Sequence, residues 1–125
     1  MKAIIAFSLL LLATAANAEL PSATSSVVNQ ALSSGKPAVI DLGARSCIPC
    51  KKMAPILESL SGEYRGKASV LFIDVHNDDA AAKKFRIQMI PTQIFFNTQG
   101  KEVKRHAGFM DKLEIVNGLK SAGLK

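Results

Sequence analysis

The sequence has few cysteines for a chain of 125 residues, because it contains only two, and both lie within four positions, at Cys47 and Cys50. A protein that depends on a framework of several disulfides is therefore excluded. A bridge between these two would close a very short loop and remove little entropy from the unfolded chain, so it would stabilise the fold only weakly. The pair is expected to serve chemistry rather than stability.

Long apolar runs are also missing beyond the N-terminus. Residues 1–18 carry one lysine, an apolar stretch over 3–12 and small residues at Ala16 and Ala18, which is the layout of a secretory signal peptide. The apolar stretch is well short of the ~20 residues that a membrane-spanning helix needs. We therefore expect secretion across the inner membrane to the periplasm, cleavage before Glu19, and a soluble mature domain over residues 19–125.

The chain has no tryptophan, and its net charge of +6 is spread along the sequence without a long basic block. Nucleic-acid binding normally uses clustered Lys and Arg side chains, so no nucleic-acid partner is expected. A modest positive charge is explained well enough by solubility. Repeats, low-complexity segments and internal linkers are also missing, and the length after the signal suffices for one domain. We expect a monomer.

What is present is a series of apolar segments at helical and strand spacing. The expected elements are, in order, a helix over 21–34, a strand over 38–42, a helix over 50–60, a strand over 69–75, a helix over 77–85, strands over 92–97 and 101–106, and a closing helix with Leu113, Ile115, Val116 and Leu119 on its apolar side. The first two strands should be parallel, since a crossover helix joins them, and the last two should form an antiparallel hairpin. The order predicts an α/β protein with a central mixed sheet of about four strands and helices on both faces.

The two cysteines stand where this pattern places the end of a buried strand and the start of a helix. The unpaired N–H groups and the dipole of a helix N-terminus favour a thiolate at Cys47. Because the thiolate is the nucleophile in disulfide exchange, Cys47 is the candidate attacking group. Cys50 lies one turn further along and is the candidate resolving thiol.

Two cysteines at this spacing also occur in other kinds of site. A zinc site takes four protein ligands, which the pair could complete with His76 and His106, but nothing in the sequence brings either histidine into ligand spacing with the pair. A c-type haem attachment needs a histidine directly after the second cysteine, where Lys51 stands. An inert surface bridge is a further alternative. We expect no metal and no organic cofactor.

The segment from Asp41 to Pro55, DLGARSCIPCKKMAP, resembles the active-site stretch of the thioredoxin family. Asp41 precedes the first cysteine by six residues, as the buried aspartate of that family does, and Pro55 matches its helix-kinking proline. Ile90-Pro91-Thr92 is similar to the cis-proline loop, and Gly108 stands where the family has a glycine beside the site. The resemblance covers about the whole mature chain. It implies a thioredoxin fold, with a mixed sheet of four to five strands, and reversible disulfide exchange with protein substrates.

The resemblance also implies roles for single residues. Cys47 attacks, Cys50 resolves, and Asp41 accepts the proton, while Pro91 is cis and packs against the cysteine pair. The implied substrate groove consists of Ile48, Pro49, Ile90, Pro91 and Gly108. Burial in a strand would raise the pKa of Asp41 toward the range useful for acid-base chemistry. The alternative is an aspartate that caps the strand or faces water.

Three positions depart from the pattern of the family. Ser46 replaces the tryptophan before the first cysteine, Ile48 replaces the usual glycine, and Phe72 stands where a lysine usually lies near the buried aspartate. These changes should alter the reduction potential and the partner surface. Arg45 and Lys51 flank the cysteines, where they could stabilise a thiolate or be solvated.

The sequence thus predicts an extracytoplasmic thiol-disulfide oxidoreductase. A reductant is preferred because Ile90 and Asp41 resemble the reducing members of the family, and a membrane-embedded thiol carrier is the expected electron partner. One alternative is an oxidase that introduces disulfides. Another is a redox-inert binding module that keeps the fold as a scaffold.

Overall fold

The computed structural model describes residues 19–125, so the predicted signal peptide over residues 1–18 lies outside the described part. Every predicted helix and strand is present and in the predicted order. The elements are α1 (Ser25–Leu32), β1 (Ala38–Gly43), α2 (Ile48–Glu63), β2 (Ser69–Asp74), α3 (Asp79–Lys84), β3 (Thr92–Phe96), β4 (Glu102–Ala107) and α4 (Lys112–Ser121). Within the described range, no helix combines the length and apolarity needed to cross a bilayer.

The helices begin at side chains that accept hydrogen bonds from their first turns. Thr24 caps α1, Asp78 caps α3 and Asp111 caps α4, each through a side-chain oxygen that accepts from a backbone N–H three residues on. Such caps satisfy donors that have no partner within the helix, and each contributes about 1 kcal/mol. The remaining helix, α2, is capped by Cys47. Capping chemistry therefore sets all four helix starts.

Helix α1 is shorter than the sequence predicted, because it begins at Ser25 and not near Pro21. The residues before it are extended along the edge of β2, where Ser22 forms a bridge with Phe72. The Ala23 N–H donates to the Phe72 carbonyl at 2.7 Å, and the Asp74 N–H donates to the Ser22 hydroxyl at 2.9 Å. The backbone groups of this segment are thus satisfied by β2 instead of by a helix.

The four strands form one mixed sheet in the order β2-β1-β3-β4. β1 and β2 are parallel and are joined through α2, whereas β3 is antiparallel to both of its neighbours, β1 and β4. The predicted parallel pair and the predicted hairpin are both confirmed. The register pairs Leu42 with Thr92 and Thr92 with Ala107. The ends of β1 and β4 and the start of β3 therefore meet at the same end of the sheet, just before α2 begins.

Both faces of the sheet are covered by helices, as predicted. On one face, Val39 and Phe95 pack with Leu57 of α2 and Ile115 of α4. On the other face, Ile40 and Ile94 pack with Val28 of α1 and Ala81 of α3. Each fully buried side chain of this size contributes about 1.5–3 kcal/mol through the hydrophobic effect. We call the face that carries α2 and α4 the α2 face.

The prediction that Leu113 lies on the apolar side of α4 is wrong. The side chain of Leu113 is 68% exposed, whereas Ile115, Val116 and Leu119 are buried. Leu113 precedes Ile115 by two residues, which is about 200° around a helix of 3.6 residues per turn. It therefore lies on the solvent side of α4.

Candidate active site

The cysteine pair lies between the end of β1 and the first turn of α2. Cys47 and Cys50 are joined by a disulfide, with their Cα atoms 5.1 Å apart. The Cys50 N–H donates to Cys47 Sγ at 3.3 Å, so the sulfur takes the place that a capping oxygen has in the other helices. Pro49 lies in the first turn, where a missing N–H breaks no helical hydrogen bond. This position stabilises negative charge on Cys47 once the bridge is reduced.

The two sulfurs have different access to solvent. Cys47 is partly exposed, whereas Cys50 is only 5% exposed. A Cβ atom added to Gly43 would lie 3.1 Å from Cys50 Sγ, so Cys50 packs directly against the last residue of β1. Cys47 is therefore the more accessible of the two cysteines, and Cys50 lies behind it.

The loop before β3 contains the proline that the sequence singled out. The Ile90–Pro91 peptide bond is cis, as the resemblance implied, and Pro91 is buried while Ile90 is half-buried. The Thr92 hydroxyl donates to the Met89 carbonyl at 2.7 Å, which closes the loop on itself. The Gly108 N–H donates to the Pro91 carbonyl at 2.7 Å. Pro91 comes directly before β3 and Gly108 directly after β4, so both lie at the end of the sheet where α2 begins.

Asp41 lies inside the sheet and not at a solvated strand end. Its side chain is fully buried, and it shares the α2 face with Gly43, two residues on, which packs against Cys50. Burial raises the pKa of Asp41 from 3.8 to about 6, and a hydrogen bond from Gln93 acts in the opposite direction. The alternative of a water-facing aspartate is therefore wrong, and a carboxyl group that titrates near neutral pH lies on the same side of the sheet as the resolving cysteine.

Gln93 lies beside Asp41 and His106 beside Gln93, although the sequence predicted no role for Gln93 and offered His106 only as a possible zinc ligand. Gln93 Nε2 donates to Asp41 Oδ1 at 2.9 Å and to the Gly108 carbonyl at 3.1 Å. His106 Nδ1 lies 2.8 Å from Gln93 Oε1. Gln93 is fully buried in a strand that is otherwise mostly apolar, and that mismatch was the available sequence signal. Among residues 19–125, no group of three or more His, Cys, Asp or Glu side chains is placed to hold a metal ion.

Phe72 and Arg45 form the other side of the site. Phe72 is the β2 partner of Asp41, so an aromatic ring stands beside the buried carboxyl group. The guanidinium of Arg45 stacks over this ring, 4.3 Å from its centre, and donates to Glu19 at 2.9 Å and to the Leu20 carbonyl. The charge of Arg45 is thus engaged with the start of the described chain, which favours a structural role over stabilisation of a thiolate.

Apolar side chains are exposed on the loops near the cysteine pair. Ile48 is 71% exposed at the tip of the motif, and Pro49 beside it is also exposed. Met89 precedes the proline loop and is 54% exposed, and Phe109 follows Gly108 and is 44% exposed. Neither Met89 nor Phe109 was among the residues predicted for the site. Each is the sequence neighbour of a residue that was predicted for the substrate groove, Ile90 and Gly108 respectively.

Known proteins share both the sequence and the fold. The model of the family described as Thioredoxin matches residues 20–121. The thioredoxin of Staphylococcus saprophyticus is 43% identical over 74 residues, which are 59% of this chain and 70% of that protein. The thioredoxin of Staphylococcus haemolyticus is 41% identical over 81 residues, which are 65% of this chain and 77% of that protein. A mutant thioredoxin from Halobacterium salinarum superposes with a TM-score of 0.72 at 24% identity, over 82% of this chain and 88% of its own, and so shares the fold.

Proposed function

The chain belongs to the thioredoxin family of thiol-disulfide oxidoreductases, which act on protein thiols and disulfides, and from this premise we propose that it works outside the cytoplasm as a reductant. The observation that carries the proposal is the asymmetry of the pair. Cys47 is partly exposed and caps α2, while Cys50 is buried against Gly43 on the face that carries Asp41. The partly exposed Cys47 is suited to attack a substrate disulfide, and the buried Cys50 is suited to release the substrate afterwards.

The first step of the proposed reaction uses Cys47. Its thiolate attacks one sulfur of a substrate disulfide, a Cys47–substrate bond forms, and the other substrate sulfur leaves as a thiolate that takes a proton from water. The helix N–H groups of α2 stabilise the attacking thiolate before the bond forms. Ile48, Pro49, Ile90, Pro91 and Gly108 are proposed to hold the extended substrate chain across the pair.

The second step releases the substrate. Cys50 gives its proton to the Asp41 carboxylate, and the resulting Cys50 thiolate attacks Cys47 Sγ. The Cys47–Cys50 disulfide forms, the mixed disulfide breaks, and the substrate has gained two electrons. A carboxyl group with a pKa of about 6 is well matched to accepting this proton near neutral pH.

Location and electron supply are part of the proposal. Residues 1–18 have the layout of a signal peptide, which supports export to the periplasm. An exported reductant needs a source of electrons beyond the cytoplasmic pool, and we infer a membrane-embedded thiol carrier that returns the Cys47–Cys50 disulfide to the dithiol. Recovery of a mature protein that begins at Glu19 would support export, and recovery of the intact N-terminus inside the cell would contradict it.

The test is the reduction potential of the Cys47–Cys50 pair in the mature protein, equilibrated against dithiothreitol or glutathione. We expect a value close to the thioredoxin level of about −270 mV, whereas a strong disulfide-introducing oxidase lies near about −120 mV. About 30 mV corresponds to ~1.4 kcal/mol for this two-electron couple, so the two cases are well separated. A high potential would assign the protein to oxidation. Failure to form a reversible disulfide, or full biological function in Cys47→Ser, would favour the binding module.

A further inference from the structure

A row of polar side chains crosses the sheet from the buried acid to its edge. Asp41 on β1 is the register partner of Gln93 on β3, and Gln93 is the register partner of His106 on β4. β4 is an edge strand, and His106 is only half-buried. Hydrogen bonds of 2.9 and 2.8 Å connect the three side chains along the α2 face. A buried carboxyl group is thereby linked to a histidine that solvent can reach.

The hydrogen-bonding capacity of Gln93 fixes the direction of this link. Its amide nitrogen carries two hydrogens. One points at Asp41 Oδ1, which can only accept when Asp41 is ionised, and the other points at the Gly108 carbonyl, which can only accept. The amide oxygen must therefore face His106, whose Nδ1 has to carry a hydrogen and donate it. With the amide rotated by 180°, its oxygen would face two acceptors, and both bonds would be lost. The hydrogen bond from His106 thus supports the one orientation of the amide that serves Asp41.

The two oxygens of Asp41 are treated differently. Oδ1 accepts from Gln93, whereas Oδ2 is buried and has no hydrogen-bond partner among residues 19–125. An unpaired buried carboxylate oxygen is costly, and a proton on that oxygen removes most of the cost. The buried environment therefore favours protonation at Oδ2, while the bond from Gln93 keeps the ionised form accessible.

We propose that His106 is a positioning residue that acts through Gln93, fixing the amide so that it stabilises the Asp41 carboxylate at Oδ1 and leaves Oδ2 to take the proton from Cys50. The inference rests on the proposed role of Asp41 in releasing the substrate. In this proton transfer the S–H bond of Cys50 breaks, an O–H bond forms at Asp41, and the electron pair stays on the Cys50 sulfur for the attack on Cys47.

Other charged groups on the α2 face do not replace this link. Cys50 comes from α2, and Arg45 lies over Phe72 and is bonded to Glu19 and the Leu20 carbonyl. Lys104 of β4 lies over the Phe95 ring, with its nitrogen 5.8 Å from the ring centre. α4 faces the sheet with apolar residues such as Ile115 and Leu119. Gln93 is the side chain that hydrogen-bonds the Asp41 carboxyl group within the described range.

The test measures the titration of Asp41 directly, by carbon-13 NMR of its carboxyl group in the disulfide form of the mature protein. Gln93→Leu removes the donor, and we expect the pKa of Asp41 to rise by about one unit, the size of a hydrogen bond to a charged group. His106→Leu removes one of the three hydrogen bonds that orient the amide, and we expect it to raise that pKa by about half a unit. His106→Asn keeps a donor near the Nδ1 position and should restore the wild-type titration.

The matched control is His76→Leu. His76 is the only other histidine of the chain, is exposed, and follows β2, which lies on the opposite side of β1 from β3 and β4, so its loss should leave the titration of Asp41 unchanged. An Asp41 titration that is unchanged in His106→Leu would overturn the inference, even if that variant were less stable. This NMR readout does not depend on turnover, so it is separate from the reduction potential that tests the proposed function.

A second readout is the pH profile of disulfide reduction with a protein substrate. We expect its acid limb to move with the Asp41 titration in Gln93→Leu and His106→Leu, and to return in His106→Asn. A moved titration with an unmoved profile would overturn the inference together with the role of Asp41, while exchange by Cys47 and Cys50 would stand.

Discussion

Cys47 and Cys50 lie three residues apart and have opposite environments. Cys47 lies outside the first turn of α2 and accepts an N–H from it, whereas Cys50 lies inside that turn and is packed against Gly43. A negative charge at a helix N-terminus gains about 0.3–2 kcal/mol, which favours the thiolate of Cys47 once the bridge is reduced. Burial acts on Cys50 in the opposite sense and disfavours its thiolate. Cys50 therefore needs a base, and Asp41 is the buried acid on its side of the sheet.

Gly108 offers a test of the proline loop at the level of one residue. Its φ is +100°, and an added Cβ would meet nothing within 4 Å, so Gly108→Ala introduces backbone strain without a clash. We expect a loss of about 1–2 kcal/mol in the free energy of unfolding. The strain should also disturb the bond from the Gly108 N–H to the Pro91 carbonyl and lower the rate of substrate reduction about tenfold.

The control for Gly108→Ala is Gly35→Ala, at the end of α1. Gly35 has a φ of +76° and equally open surroundings, but it precedes β1 and so lies at the opposite end of that strand from Cys47. Chemical denaturation should show a similar loss of stability for both variants, while an insulin-reduction assay should show a slower rate for Gly108→Ala alone. Equal rates in the two variants would contradict the role assigned to Gly108.

The sequence predicted the site residues that are local in the chain. Cys47, Cys50 and Asp41 fall within ten positions, so strand, turn and helix place them without knowledge of the pairing of strands. Gln93 and His106 meet Asp41 only through the registers of β1 with β3 and β3 with β4, and a shift of one residue would turn Gln93 to the other face. Register depends on the packing of the whole sheet, so the polar row could not be predicted from spacing alone.

At the scale of elements, apolar periodicity predicted the order, type and pairing of helices and strands. It was less successful at ends, where tertiary contacts compete with local preference. The start of α1 moved from Pro21 to Ser25 because Ser22 and Ala23 bond to β2. Leu113 was counted as core because it is apolar, although its angle on α4 points it to solvent. A pattern shows which residues can be buried, and the packed neighbours decide which of them are.

Two glycines within helices should respond in opposite ways to the same substitution. Gly118 of α4 packs on the ring of Phe95, and an added Cβ would overlap that ring. We expect Gly118→Ala to lower the free energy of unfolding by about 1–3 kcal/mol through overpacking. Gly62 of α2 is exposed and an added Cβ would meet nothing within 4 Å, so Gly62→Ala should gain about 0.5–1 kcal/mol from helix propensity.

Urea unfolding at fixed pH measures both variants, because each change in midpoint reports the change in stability when the slope is constant. The two substitutions add the same methyl group to a helix, so their difference isolates the contact with Phe95. A gain of stability in Gly118→Ala would show that α4 can move away from the sheet without cost.

At the scale of the whole molecule, the fold contains two buried aspartates with opposite surroundings. Both oxygens of Asp74 accept hydrogen bonds of 3.0 Å, one from the His76 N–H and one from the Asn77 side chain. Asp41 has one bonded oxygen and one without a partner in the described chain. Asp74 is therefore expected to stabilise the fold, whereas the buried Asp41 carboxylate is expected to lower stability, which is consistent with the proton-accepting role proposed for it.

The global stability should therefore depend on pH through Asp41. Its folded-state pKa of about 6 lies above the ordinary value of 3.8, so between these pH values the native state binds more protons than the unfolded chain. Stability then falls as pH rises through this window. Since each unit of pKa is worth about 1.4 kcal/mol, the ionised carboxylate destabilises the native state by about 3 kcal/mol at pH 7.

Asp41→Asn removes this titration while keeping an oxygen that can accept from Gln93. Denaturant unfolding of the disulfide form should show equal stability of variant and parent near pH 4 and an advantage for the variant that grows to about 3 kcal/mol at pH 7. Asp74→Asn should instead lose about 1–3 kcal/mol at pH 7, because its amide nitrogen would face one of the two donors that Asp74 now accepts from. If Asp41→Asn were no more stable than the parent at pH 7, other groups would have to stabilise the Asp41 carboxylate in the native state. Its pKa would then lie near the ordinary value, and Asp41 would be a poor acceptor for the proton of Cys50.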